Sequence, residues 1–413
     1  MEEFKKAFEI NPDLTSLRFD YANLLADMGD FEKAVEEFKK YIAAYPDNPA
    51  AYYNLGILYQ KNNDYPSAIE TFLKADKINP KNVDIMKEIA RSYHMDGQYS
   101  KAVSYYDKLL ENDKDNKDLL YNKALACHGA GSYEAAINIY TQLLAQGDDE
   151  KIKEYLIKAY NEQGKKFIDD KKYKKAVLSY EKALEIDANS VDSYKGLADA
   201  YEKLGEKEKV KENYEKAMDI APNNSKVVTD YAKTLSHYEE NQDAQDIFQR
   251  AISIDNQNEE AYIGLGDNYY KSSDFNNAIE AYINAYKINP ENLDTLNKIG
   301  NSYKESGNSK EAINYYKKIL AINENEAAAI FNIGLCQADL DEIDSSIESF
   351  KKVVEIAPDF DYSYYALALA YEKKGDYDSA IINYEKYTEF LKDTKLKASI
   401  KSKVEELKSK LSE

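Results

Sequence analysis

The stretch Ala51–Pro80, "AYYNLGILYQKNNDYPSAIETFLKADKINP", decides the fold. Its first apolar set, Tyr52, Leu55, Gly56 and Tyr59, follows i, i+3, i+4, i+7, one stripe of an α-helix. A second stripe, Ala68, Phe72 and Ala75, is small-large-small. Small residues let two helices approach, and the aromatic fills the space between them. Pro80 cannot continue a helix, so it closes the unit. If the stretch were a private helix pair, the rest of the chain would read differently. If it is one brick of many, its grammar must return at a fixed interval.

It returns every 34 residues. Pro12, Pro46, Pro222, Pro290 and Pro358 share the slot of Pro80. The slot of Phe72 holds Phe38, Tyr106, Tyr140, Tyr180, Tyr214, Phe248, Tyr282, Tyr316, Phe350 and Tyr384. Gly56 has counterparts in Ala22, Ala90, Ala124, Gly164, Ala198, Ala232, Gly266, Gly300, Gly334 and Ala368. Between the stripes come turns such as Gly29-Asp30-Phe31, Gly97-Gln98-Tyr99 and Gly375-Asp376-Tyr377, where glycine accepts the left-handed conformation that ends a helix.

On these residues the chain resembles the tetratricopeptide repeat family, whose pattern "YYNLGILY", "YIGLGDNY" and "YYALALAY" carry with tyrosine in the usual tryptophan slot. The resemblance implies an all-α, right-handed superhelical solenoid of stacked antiparallel helix pairs. Eleven whole units begin at Thr15, Pro49, Val83, Lys117, Ile157, Val191, Ser225, Glu259, Leu293, Ala327 and Asp361. Residues 1–14 read as the second half of a unit, either a lone capping helix or, as we expect, the sign of a chain that begins partway through a longer protein. Residues 15–150 hold units one to four. A six-residue insertion at 151–156 lengthens the next helix to about Lys151–Asp170, with a local break in the stacking of units and a flexible point expected there. Residues 157–394 hold units five to eleven. The unit at Ser225 carries Glu239 where others have the turn glycine. Residues 395–413 read as a solvating end helix, with Leu396, Ile400, Leu407 and Leu411 on one side.

Composition narrows the function. The chain has 413 residues, 43% hydrophobic and 31% charged, with net charge −20. That balance disfavours nucleic acid. Cys127 and Cys336 lie far apart in apolar helical stretches and read as buried small hydrophobes. No apolar run suits a bilayer or a signal segment, so membrane insertion is not expected and the cytoplasm is the default location. No phosphate loop, paired-cysteine motif or nucleophile turn occurs, so neither enzyme activity nor a cofactor is expected. His94 and His128 share a slot in successive units, but no third ligand at suitable spacing makes a metal site of them.

The resemblance implies a concave face lined by the first helix of each unit, the usual peptide-binding surface. There Lys87, Arg91 and His94 come together with Asn122, His128 and Lys158 as a cationic cluster. It is partly similar to the two-carboxylate clamp of chaperone-binding tetratricopeptide domains: Lys87, Asn122 and Lys158 match, while Arg91 and Glu162 depart. Asn54, Asn122 and Asn332 occupy a slot resembling the asparagine ladder that grips a peptide backbone. Nearer the C-terminus Phe331, Leu335, Tyr365 and Leu369 form an apolar strip, which is either a docking surface or the seat of the end helix. The expected function is a protein–protein interaction scaffold that holds extended peptides or helices of partner proteins. The alternatives are the recognition arm of a larger enzyme, resembling O-GlcNAc transferase or a signalling kinase, and an assembly factor of the cell envelope or of secretion.

Overall fold

The computed structural model describes residues 1–11 and 14–412, so Pro12 lies outside the described residues. Among these residues there is no strand, and 24 α-helices follow one another in chain order. After α1 (Glu2–Ile10) and a short 3-10 turn at Thr15–Leu17 come the pairs α2/α3 (Arg18–Asp27, Phe31–Ala44), α4/α5 (Pro49–Lys61, Tyr65–Ile78), α6/α7 (Val83–Met95, Tyr99–Leu110) and α8/α9 (Lys117–Gly129, Tyr133–Leu144). Then follow α10/α11 (Glu150–Asp169, Tyr173–Ile186), α12/α13 (Val191–Leu204, Lys207–Ile220), α14/α15 (Ser225–His237, Asn241–Ile254) and α16/α17 (Glu259–Lys271, Phe275–Ile288). The series ends with α18/α19 (Leu293–Glu305, Ser309–Ile322), α20/α21 (Ala327–Asp339, Ile343–Ile356), α22/α23 (Asp361–Lys374, Tyr377–Phe390) and α24 (Thr394–Ser412). Contacts group these elements into two compact units, Met1–Ala217 and Met218–Glu413.

Inside a pair, the packing is set by the ring that the second helix pushes against the small slot of the first. A Cβ added to Gly56 would lie 2.5 Å from Cε1 of Phe72, and the same clash arises between Gly266 and Tyr282, Gly300 and Tyr316, and Gly334 and Phe350. Those rings are fully buried, as are the alanines that fill the slot elsewhere. A larger side chain there would wedge the helices apart, which is why the slot holds only glycine or alanine.

Two further slots explain where helices begin and end. Asn48, Asn82, Asn116, Asn224, Asn258 and Asn292 each cap a first helix through the side-chain oxygen, accepting backbone N–H groups that the helix leaves unpaired. At the opposite end, one position per unit is left-handed: Gly29, Gly97, Gly131, Gly205, Gly307 and Gly375, but also Asn63, Lys171, Glu239, Ser273 and Asp341, with φ between 58° and 83°. Glu239 thus makes the turn without glycine, at a local cost of roughly 1 kcal/mol.

The insertion is taken up within one lengthened helix. α10 runs unbroken through 20 residues, starting on the Asp149 carboxylate, which accepts from Lys151 and Ile152 N–H. Its added turns bring the Tyr155 ring against Tyr121 and stack it on buried Tyr140, each at 5.9 Å between ring centres. At the other end α24 packs on α23. It buries Ile400, Val404 and Leu407, while Leu396 and Leu411 stay exposed, since the helix outruns the surface beneath it at both ends.

Candidate peptide-binding face

In the unit Met1–Ala217 the first helices α6, α8 and α10 carry the cationic cluster. Lys87, Arg91 and Lys158 are exposed, and none has an ion pair within 4 Å among the described residues. Burial pushes the neighbouring Tyr106 hydroxyl up to about 12, against the opposing charge of Arg91. Asn122 spends its amide on its own helix, donating to the Asp118 carbonyl at 2.7 Å. Asn54 donates to Asn23 Oδ1 on α2 at 2.8 Å, so in each of these amides one N–H is already engaged.

The histidines sit differently from the lysines. Each lies in the last turn of its helix with its ring edge-on to the aromatic of the following turn, His94 on Tyr99 and His128 on Tyr133, both at 5.4 Å. Their Nδ1 atoms are buried without a hydrogen-bond partner among the described residues. Burial lowers the pKa of both. Lys158 lowers that of His128 further, and Glu162 opposes it. The structure therefore brings Lys158 beside His128 but seats both imidazoles as packing groups at the turns.

In the unit Met218–Glu413 the apolar strip divides. Phe331 is half-buried against Phe350 and Phe360, at 5.5 and 5.0 Å, and Leu335 packs in the same cluster. Tyr365 lies over Tyr384 and Tyr387. Of the four, only Leu369 is exposed, and with Tyr365 it lines a recess of about 690 Å³ whose other wall is Ser399, Ile400 and Lys403 of α24. The Lys403 ammonium reaches Glu372 at 2.8 Å across that wall. Three of the four residues are thus half-buried against the core, and the end helix closes one side of the recess beside the fourth.

Two recesses escaped the reading of the sequence. One, of about 960 Å³, opens over α10 and α12 around Gly196; the other, of about 1240 Å³, opens over α14, α16 and α18 around Gly264. Both glycines stand two positions before the small slot, where other units carry Asn54, Glu88, Asn122 or Lys298. Without a side chain at that position the ring of the preceding second helix forms the floor. An added Cβ would lie 2.2 Å from Tyr180 at Gly196 and 2.4 Å from Phe248 at Gly264. The signal was present in "YKGLADAY" and "YIGLGDNY", as a glycine that no turn requires. At the Gly264 recess several charged groups have partners: Lys298 with Asp267 at 2.6 Å, Lys233 with Glu260, and Glu259 with the amides of Asn289 and Asn292.

Helix pairs repeated in tandem, locked by a ring in a small slot and presenting their first helices as a row, define a repeat scaffold of the protein-interaction kind. The chain belongs to the tetratricopeptide repeat family. Models of that repeat match residues 19–83, 93–156, 164–205, 191–224, 266–307, 293–326, 327–360 and 349–382. No curated protein matches in sequence. Solved structures with a similar fold include YrrB, a TPR protein with an unusual peptide-binding site (23% identity, 46% of this chain and 97% of YrrB, TM-score 0.40). They also include yeast Tom70 (16% identity, 97% of this chain and 96% of Tom70, TM-score 0.40) and MamA (24% identity, 42% of this chain and 96% of MamA, TM-score 0.37). Among the described residues no helix is long and apolar enough to cross a membrane.

Proposed function

We propose that the chain is a protein–protein interaction scaffold whose first helices hold an extended or helical segment of a partner protein in a concave groove, with Lys87, Arg91 and Lys158 receiving an acidic end of that segment. One observation carries this reading: three exposed basic side chains without an ion pair among the described residues, two on α6 and one on α10, in a chain with net charge −20. Other exposed lysines of the chain find a carboxylate within their own turn, as Lys74 does with Glu70 at 2.7 Å and Lys216 with Glu212 at 2.7 Å. Cations left unpaired on one face supply charge-assisted donors to a ligand carboxylate.

The test is the double variant Lys87→Ala with Lys158→Ala. Because both side chains are exposed, the far-ultraviolet circular dichroism stays that of the parent. Affinity for peptides with an acidic C-terminus drops by about tenfold or more, measured by fluorescence anisotropy. Equal affinity in parent and variant rejects the cluster as the binding site.

A further inference from the structure

We propose that the recess around Gly196 is a subsite for a lysine or arginine side chain on the same partner segment, an inference that rests on the interaction reading above. The phenol end of Tyr180 is clamped there between two glycines. A Cβ on Gly164 would lie 2.6 Å from its Cζ, and one on Gly196 would lie 2.2 Å from its Cε1. Only 5% of the residue is exposed. In the same slot Tyr282, Tyr316 and Tyr384 donate their hydroxyl protons to Asp267, Asn301 and Glu372, at 2.7, 2.7 and 3.0 Å. Each of the first two acceptors is the residue just after the small slot; beside Tyr180 that residue is Lys165, which cannot accept. The Tyr180 hydroxyl makes no hydrogen bond to any described residue, and it lines the recess.

What surrounds that hydroxyl selects the ligand. Burial, then the carboxylates of Asp199, Glu162 and Asp169, push its pKa up, so it keeps its proton. Seven carboxylates and four lysines line the recess. Glu162, Asp169 and Asp192 have no ion pair among the described residues. An ammonium or guanidinium group offers donors only, which suits a site made of unmatched carboxylates and a phenol oxygen. With seven carboxylates against four lysines, the phenol end of the recess favours a cation over a carboxylate or phosphate. The recess at Gly264 shares the glycine, but its floor is Phe248, which has no hydroxyl, and Lys233 and Lys298 there pair with Glu260 and Asp267, so the argument applies to Gly196 alone. Lys158 lines the same recess, which sets the basic subsite next to the acid-binding cluster and predicts a partner segment carrying a basic residue a short way before an acidic end.

The full chain is titrated, by fluorescence anisotropy, with fluorescein-labelled short peptides of uncharged background and an acidic C-terminal pair. A single lysine is walked along the peptide, and each lysine peptide has a norleucine counterpart of the same length. At one position lysine binds about tenfold tighter than norleucine. Tyr180→Phe combined with Glu162→Gln reduces that ratio to about twofold or less. Tyr180→Phe keeps the ring between the glycines, and unchanged circular dichroism verifies the fold. Equal affinities at every position, or a ratio that survives the double variant, overturn the basic subsite while the acid-binding cluster stands on its own Lys87 result. If no peptide of either series binds, both readings fall.

Discussion

The contact between Phe72 and Gly56 gives a sign reversal that can be measured. Phe72 is fully buried, and its removal in Phe72→Ala costs about 3–5 kcal/mol through lost burial and a cavity. Gly56→Ala alone carries two opposed effects. In a helix interior alanine is favoured over glycine by about 1 kcal/mol. The new methyl, however, meets Phe72 Cε1 at 2.5 Å and Cδ1 and Cζ at 2.7 Å, and such overpacking costs about 1–3 kcal/mol. The net is a loss of about 0–2 kcal/mol. In the Phe72→Ala background the ring is gone, so Gly56→Ala keeps only its helical gain and stabilises by about 1 kcal/mol. The two substitutions therefore interact by about 1–3 kcal/mol, the double variant being less damaged than the sum of the singles. Because repeat arrays open locally, the readout is native-state hydrogen exchange of amides within Pro49–Ile78 rather than a global midpoint. If Gly56→Ala destabilises equally in both backgrounds, the ring does not dictate the glycine, and the account of the small slot fails.

Two more outcomes follow from buried polar groups. Tyr140 has a buried hydroxyl with no hydrogen-bond partner among the described residues, because the residue after its small slot is Leu125. Tyr140→Phe therefore raises the stability of its repeat by about 1 kcal/mol, whereas Tyr316→Phe, which loses the bond to Asn301, lowers it by about 1 kcal/mol; exchange rates of the local amides separate the two. His94 and His128 have pKa values held below the ordinary 6.5 by burial, so the unfolded chain takes up protons first as the pH falls. Their neutral forms contribute stability that is complete above 6.5 and declines as the pH drops toward the folded values. Thermal melts between about pH 7 and 5.5 show this slope, and His94→Gln with His128→Gln flattens it.

Fold and family were legible because the period is carried by residues whose roles are local. The ring of Phe72 and the small slot of Gly56 lie sixteen residues apart within one pair, so spacing alone reports their contact. Exposed Lys87, Arg91 and Lys158 were legible for the same reason: a helix face follows from register. The ring contacts of the histidines were not legible, because they come from the turn aromatics Tyr99 and Tyr133, which a helical wheel of one segment omits. Phe331 was read as facing outward, yet Phe360, from the loop before α22, covers it. The recess at Gly196 was hidden because it consists of a missing side chain, and its floor belongs to the preceding helix.

Asn258 and Asn292 also carry a consequence for how the chain fails. The oxygen of Asn258 starts α16 by accepting from Ala261 N–H at 2.9 Å, and its amide nitrogen reaches back to Thr229 at 3.0 Å on α14. Asn292 starts α18 in the same way and donates to Glu259 at 2.6 Å. A single planar group thus fastens the opening turn of one brick and the seam to the brick before it. Fraying and unstacking become the same event at these joints, so this stretch lets go in whole bricks, not turn by turn.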